Sequence, residues 1–157
     1  MKTEKISGRD VELTIAEVYA SCQALSNIMH REFDEQSAYR VGRLKNKLEA
    51  IHKDAEKDRF DMFALYGKKD EKGNINIPQP GPAPIRLQDE TDDAFNKRVA
   101  EHTNLVRDNE EFQKDIAELL QTKCTLNVPP INLPAGFTIT PADRMALAWL
   151  LGDEDND

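Results

Sequence analysis

The sequence predicts a mainly α fold with a small β element. It comprises an antiparallel helical hairpin, a third long helix, a short β piece of two or three segments, and a C-terminal helix. Three observations carry this. Apolar residues recur at steps of three and four over most of the chain, the signature of helices with one buried stripe. Charged residues make up 32% and aromatic residues only 6%, a balance of long solvated helices rather than of a sandwich or barrel. Proline and glycine cluster at a few sites and punctuate the periodic stretches.

The first helix opens at Thr14-Ile15-Ala16-Glu17, where the threonine hydroxyl can cap the amide three residues on while Glu17 reaches back. Ile15, Val18, Cys22, Leu25 and Met29 form its expected stripe, which Phe33 extends. The stretch Phe33–Ser37 reads as a break, and a second helix runs from Ser37 to Leu65 with Val41, Leu44, Leu48, Ile51 and Ala55 in a seam-like row. Two such helices joined by a short break fold back on each other. Gly67 stands where a helix takes its left-handed terminal residue.

Lys68–Asn74 is turn chemistry, with Gly73-Asn74 suited to positive φ. Asn74–Ile77 alternates as a short strand closed by Pro78. Pro78–Pro84 packs four prolines and a glycine into seven residues, so 78–90 reads as a semi-extended linker. A third helix begins near Thr91, with Asp92 and Asp93 in its first turn. Its stripe of Phe95, Val99, His102 and Val106 continues through Phe112, Ile116 and Leu119, and Arg107–Glu111 is either a break or an exposed turn. Cys124–Leu133 alternates up to a Pro129-Pro130 corner, giving two edge segments, one of them a candidate partner for Asn74–Ile77. Thr140 caps a last helix with Pro141 at its first position, ended by Gly152 and followed by an acidic tail at 152–157. With 157 residues and no internal repeat, the reading is one domain over 1–157.

The net charge of −8 argues against a general nucleic-acid binder or a binder of anionic membranes. The start MKTEKISGRDVELT has no apolar leader core and no run reaches the length of a membrane span, so a cytoplasmic location is expected. Cys22 and Cys124 are far apart, outside any CxxC pattern, and read as small core residues.

Chemistry-bearing patterns fail one by one. Counting a calcium loop from Asp70 puts Lys72 at the third position and Gly73 at the fourth, which rules out the EF-hand spacing. Gly67 and Gly73 do not make a phosphate-binding GxxxxGK loop. His30, His52 and His102 match no zinc spacing, and the serines match no GxSxG elbow. No catalytic residue, metal ligand or cofactor is assigned. The remaining constellation is basic: Arg31 at the end of the first helix with Arg40, Arg43, Lys45 and Lys47 at the start of the second. They are candidates for contact with an anion or an acidic partner, against the alternative of salt bridges to Glu32, Asp34 and Glu35. Val41, Leu44, Leu48 and Ile51 are the candidate interaction seam.

The order of five stretches, LTIAEVYASCQAL, AYRVGRLKNKLEAI, ALYGKKDEKGNINIP, EEFQKDIAELLQTKCTLNVPPINL and ITPADRMALAWLL, resembles small uncharacterised helical proteins of tailed bacteriophages and prophages. Those share a helical hairpin, a KYGxxDExGN turn, an EFxxELxELL helix and a closing ITPAxLxxL helix. The similarity covers Leu13 to Leu151, and Pro78–Asp108 departs from it. The resemblance implies a phage protein located in the host cytoplasm or the virion, and carries over no catalytic residues. The expected role is protein–protein contact, with self or with a phage or host protein, as in virion assembly. The alternative is an inhibitor of a host factor, or a nucleotide-binding sponge, acting through the basic cluster.

Overall fold

The computed structural model describes residues 5–6 and 8–151. Gly152 and the acidic stretch after it lie outside the described residues. The chain is mainly α with short antiparallel strand pairs, in the order Lys5–Ile6 (β1), Arg9–Thr14 (β2), Ile15–Ile28 (α1), Glu35–Tyr66 (α2), Lys68–Lys69 (β3), Ile75–Asn76 (β4), Asp92–Gln121 (α3), Lys123–Val128 (β5), Ile131–Asn132 (β6), Pro141–Ala146 (α4) and Ala148–Leu151 (α5). The residues group into two compact units, one of 1–55 with 120–157 and one of Glu56–Leu119.

In the first unit, α1 starts at the expected capping box. The Glu17 amide donates to Thr14 Oγ1 at 3.2 Å and the Thr14 amide to Glu17 Oε2 at 2.8 Å. The amide of Ile15, one of the donors a helix start leaves open, is taken by the Thr122 carbonyl at 2.9 Å. α2 begins two residues earlier than the spacing predicts, because Asp34 caps it. Its carboxylate accepts from the Ser37 amide and the Ser37 hydroxyl, each at 2.8 Å. Both bonds hold the Asp34 carboxyl below the usual carboxylate range. The helices run antiparallel: Tyr19 meets His52 edge-on at 4.5 Å, while Cys22 lies in the field of Glu49 and Lys45.

Val18, Leu25 and Ile28 of α1 and Val41, Leu44 and Leu48 of α2 form one buried cluster with Leu126, Val128, Ile131, Leu147 and Leu150. The α1 stripe is rotated from the expected one. Met29 is exposed and Cys22 only partly buried, while Ser21 and Ala24 face inward. Ser21 can be buried because its Oγ lies 2.6 Å from the Glu17 carbonyl and 3.2 Å from that of Ala146, and accepts from Trp149 Nε1 at 2.8 Å.

The β pairing differs from the expected one. β5 pairs antiparallel with β2, with Val11 opposite Leu126 and Leu13 opposite Cys124. Beyond Pro129-Pro130, β6 pairs with β1. The prolines divide two segments as anticipated, but the partner of both is the beginning of the chain rather than Asn74–Ile77. The C-terminal helix is capped as expected, the Asp143 amide donating to Thr140 Oγ1 at 3.2 Å. It is split at Leu147 into α4 and α5, and Leu147 is itself fully buried.

In the second unit, β4 pairs with β3 in a hairpin organised by Asp70. The Asp70 carboxylate accepts from the amides of Lys72 and Asn74, both at 2.9 Å, which depresses its pKa. Gly73 takes φ 82° there. Gly67 is not left-handed. It is glycine because a Cβ would stand 2.5 Å from the Phe63 carbonyl oxygen and collide with Ile75. α3 is one continuous helix, capped by Thr91, so Arg107–Glu111 is an exposed turn within it. The proline-rich 78–90 stretch is no free tether. It lies back along α3, through Gln79 to Asn109, the Gly81 carbonyl to His102 and Arg98 to Glu90. Phe112 packs edge-on against Phe63 and Tyr66, whose hydroxyl donates to Asp115 at 2.6 Å.

Candidate functional site

Of the five basic candidates, the structure brings three together. Gln36, Arg40, Arg43 and Lys47 follow one another at steps of four, three and four, which places them on one face of α2. That face forms one wall of a cleft of about 320 Å³, with Asn127 and Pro129 opposite and Leu44 also lining it. Arg40 is partly buried and pinned, its Nη1 donating to the Pro130 carbonyl at 2.6 Å. Arg43 lies over the Tyr39 ring at 5.8 Å, and that ring is 66% exposed.

The other two point elsewhere. Lys45 is two residues on from Arg43, about 200° round the helix, and pairs with Glu49 at 3.2 Å. Arg31 donates to the Thr138 carbonyl at 2.9 Å, in a separate cleft with His30, Pro134 and Phe137.

The expected neutralising salt bridges do not form. Among the described residues no carboxylate lies within ion-pair distance of Arg40, Arg43 or Lys47. Asp34, one of the acids proposed for that role, is committed to Ser37. Among the described residues the lining of the cleft carries no acidic residue. Three cations, two amides and an aromatic ring are therefore gathered at one place, and such groups bind and orient negative charge.

The seam Val41, Leu44, Leu48 and Ile51 is the inner contact of the hairpin. The first three are at most 2% exposed and Ile51 is partly buried against the same core, so these residues face this chain and not another.

Sequence reasoning missed a second surface. Leu13, Ala16, Ala20, Met145, Ala146 and Trp149 line an apolar groove of about 620 Å³ between α1 and the C-terminal helices, with Glu12 and Glu17 also in its lining. Its signal was the spacing Ala16, Ala20 and Ala142, Ala146, small residues one turn apart on two helices.

Among the described residues no group of three or more His, Cys, Asp or Glu is placed to hold a metal, and no helix is long and apolar enough to cross a membrane. His52 packs on Tyr19, and His102 shares a hydrogen with the Gly81 carbonyl through Nε2, which must be the protonated nitrogen there. Cys22 and Cys124 are free thiols whose pKa values are pushed up chiefly by burial, the opposite of an activated thiolate. Comparison with protein-family models, with curated proteins and with solved structures gives no match.

Proposed function

We propose that this is a non-enzymatic protein that acts through protein–protein contact, and that the basic cleft on α2 receives an acidic segment of its partner. One observation carries the reading. In a chain of net charge −8, Arg40, Arg43 and Lys47 stand together without a compensating carboxylate among the described residues, beside a ring left 66% exposed. Exposed ion pairs contribute roughly 0.2–1 kcal/mol each, so the cations set register and on-rate. Tyr39 supplies the apolar anchor that holds the contact. The resemblance to tailed-phage proteins supports virion assembly as the setting.

The test is fluorescence anisotropy with a labelled glutamate-rich peptide at low salt. Arg43→Ala with Lys47→Ala is expected to weaken binding about two- to thirtyfold, with the helical circular dichroism unchanged. Equal binding by the double variant refutes the reading. A second reading, capture of a nucleotide as a host-directed sponge, draws on the Tyr39 ring beside Arg43 as a base platform. A nucleoside triphosphate titrated in the same assay separates the two: competition at micromolar concentration favours the nucleotide.

A further inference from the structure

The basic cleft and the apolar groove lie in the same unit, on different elements, and are opposite in character. The groove is recessed because its floor is built of alanines. Trp149 is held by the bond from its indole N–H to Ser21, so one wall of the groove is fixed. Glu12 stays 61% exposed although Lys123 pairs with it at 3.0 Å. Glu17 is locked at the α1 start by its bond to the Thr14 amide. An occupant suited to this groove presents a large apolar side chain flanked by lysine or arginine. The exposed start of α2 presents that combination: Tyr39 is 66% exposed, with Arg43 one turn on and Lys47 two turns on. In return Met145, 80% exposed at the groove, is matched by the partly buried Pro129 that lines the basic cleft.

We propose that the partner of the basic face is a second copy of this chain, docked head to tail, with Tyr39 of one copy seated in the alanine-floored groove of the next. The inference rests on the reading of the α2 cleft as a protein contact and names its partner. The two patches are different surfaces, so each contact leaves one of each kind unfilled. Such an interface is heterologous and propagates into a ring or a filament.

Sedimentation velocity over a wide concentration series tests this with two double variants. Tyr39→Glu with Arg43→Glu disables the α2 face; Ala20→Arg with Met145→Arg blocks the groove. All four positions are exposed, and circular dichroism checks that each variant folds. Lys47→Glu alone and Met145→Arg alone serve as milder versions. The wild type is expected to exceed the chain mass of 17.8 kDa as concentration rises, and to return towards it when salt is added. Each variant alone should remain at the chain mass. Their equimolar mixture should give a complex of twice that mass, because each retains the face the other lacks. A wild type that stays monomeric, a variant that still self-associates, or a mixture that stays monomeric each overturns the proposal. Binding of the acidic peptide by monomeric wild type would leave the α2 reading standing while this one fails.

Discussion

Replacing Ser21 with alanine removes a hydroxyl that joins α1 to the C-terminal helices. Ser21 is fully buried, accepts the Trp149 indole hydrogen at 2.8 Å and has one hydrogen to donate between the carbonyls of Glu17 and Ala146. The variant leaves the indole N–H without its partner, at a cost of about 1–3 kcal/mol for a buried unsatisfied donor. Trp149 is only partly buried, which favours the lower half of that range. The better helix propensity of alanine returns about 0.5 kcal/mol. The net expectation is a loss of about 0.5–1.5 kcal/mol. Trp149→Phe removes the donor instead, so in the double variant the unsatisfied group no longer exists. The penalties should therefore fall short of additive by about 1 kcal/mol. Urea unfolding followed by far-ultraviolet ellipticity measures all four corners of the cycle. The fluorescence of Trp149, the sole tryptophan, follows its own unit in the two proteins that keep it. With a slope of about 1–3 kcal/mol per molar urea, the Ser21→Ala midpoint should fall by about 0.2–1.5 M. Additivity within about 0.3 kcal/mol would refute the account of Ser21 as the indole's acceptor.

Three further outcomes are expected. Leu48→Ala, at a fully buried position on α2, should cost about 3–5 kcal/mol in thermal or urea unfolding, since the surrounding hairpin closes only partly over the cavity. Gly67→Ala drives a methyl against the Phe63 carbonyl and Ile75, costs about 1–3 kcal/mol, and should speed amide exchange at Lys68 and Asn76 relative to the rest of the chain. The Tyr66 phenol, held protonated mainly by its bond to Asp115, has its pKa pushed up to about 12. This raised value contributes stability that is complete below pH 10, the usual tyrosine range, and fades as pH rises to about 12. Tyr66→Phe should abolish that alkaline loss, and the phenolate absorbance it removes should titrate near the upper end of the window.

What the sequence made legible was local. The Thr14–Glu17 capping box, the three-four spacing of Val41, Leu44 and Leu48, and the Thr140-Pro141 start all concern neighbours within a turn or two, and all are present. The strand Arg9–Thr14 was not legible, because only Val11 and Leu13 mark it and its partner lies more than a hundred residues away at Lys123–Val128. The same distance hid the role of Ser21: a serine on a helix face counts as polar until Trp149 and Ala146 arrive to satisfy it. For the basic cluster, helical phase already separated Lys45 from Arg40, Arg43 and Lys47, whereas the turn of Arg31 towards Thr138 depended on the fold. The apolar groove stayed hidden because alanine carries no strong signal in a hydrophobic pattern. Only the packing of α1 beside α4 turns four small side chains into a recess.

The charge distribution bears on which partners the α2 face can accept. At physiological salt a charge is felt over about 8 Å, so a short acidic segment in the cleft meets mainly Arg40, Arg43 and Lys47. A long polyanion such as a nucleic acid extends past that range and meets a surface whose net charge is −8. Three cations beside one exposed aromatic ring also limit the strength of any single contact, and make it sensitive to salt. A weak contact is effective when it is repeated, because neighbours already held in place raise one another's effective concentration. A head-to-tail interface is the arrangement in which one such pair of patches repeats without further evolution of the surface. The same logic predicts that weakening the contact by a single charge, as in Lys47→Glu, will lower assembly far more steeply than it lowers the binding of one acidic peptide.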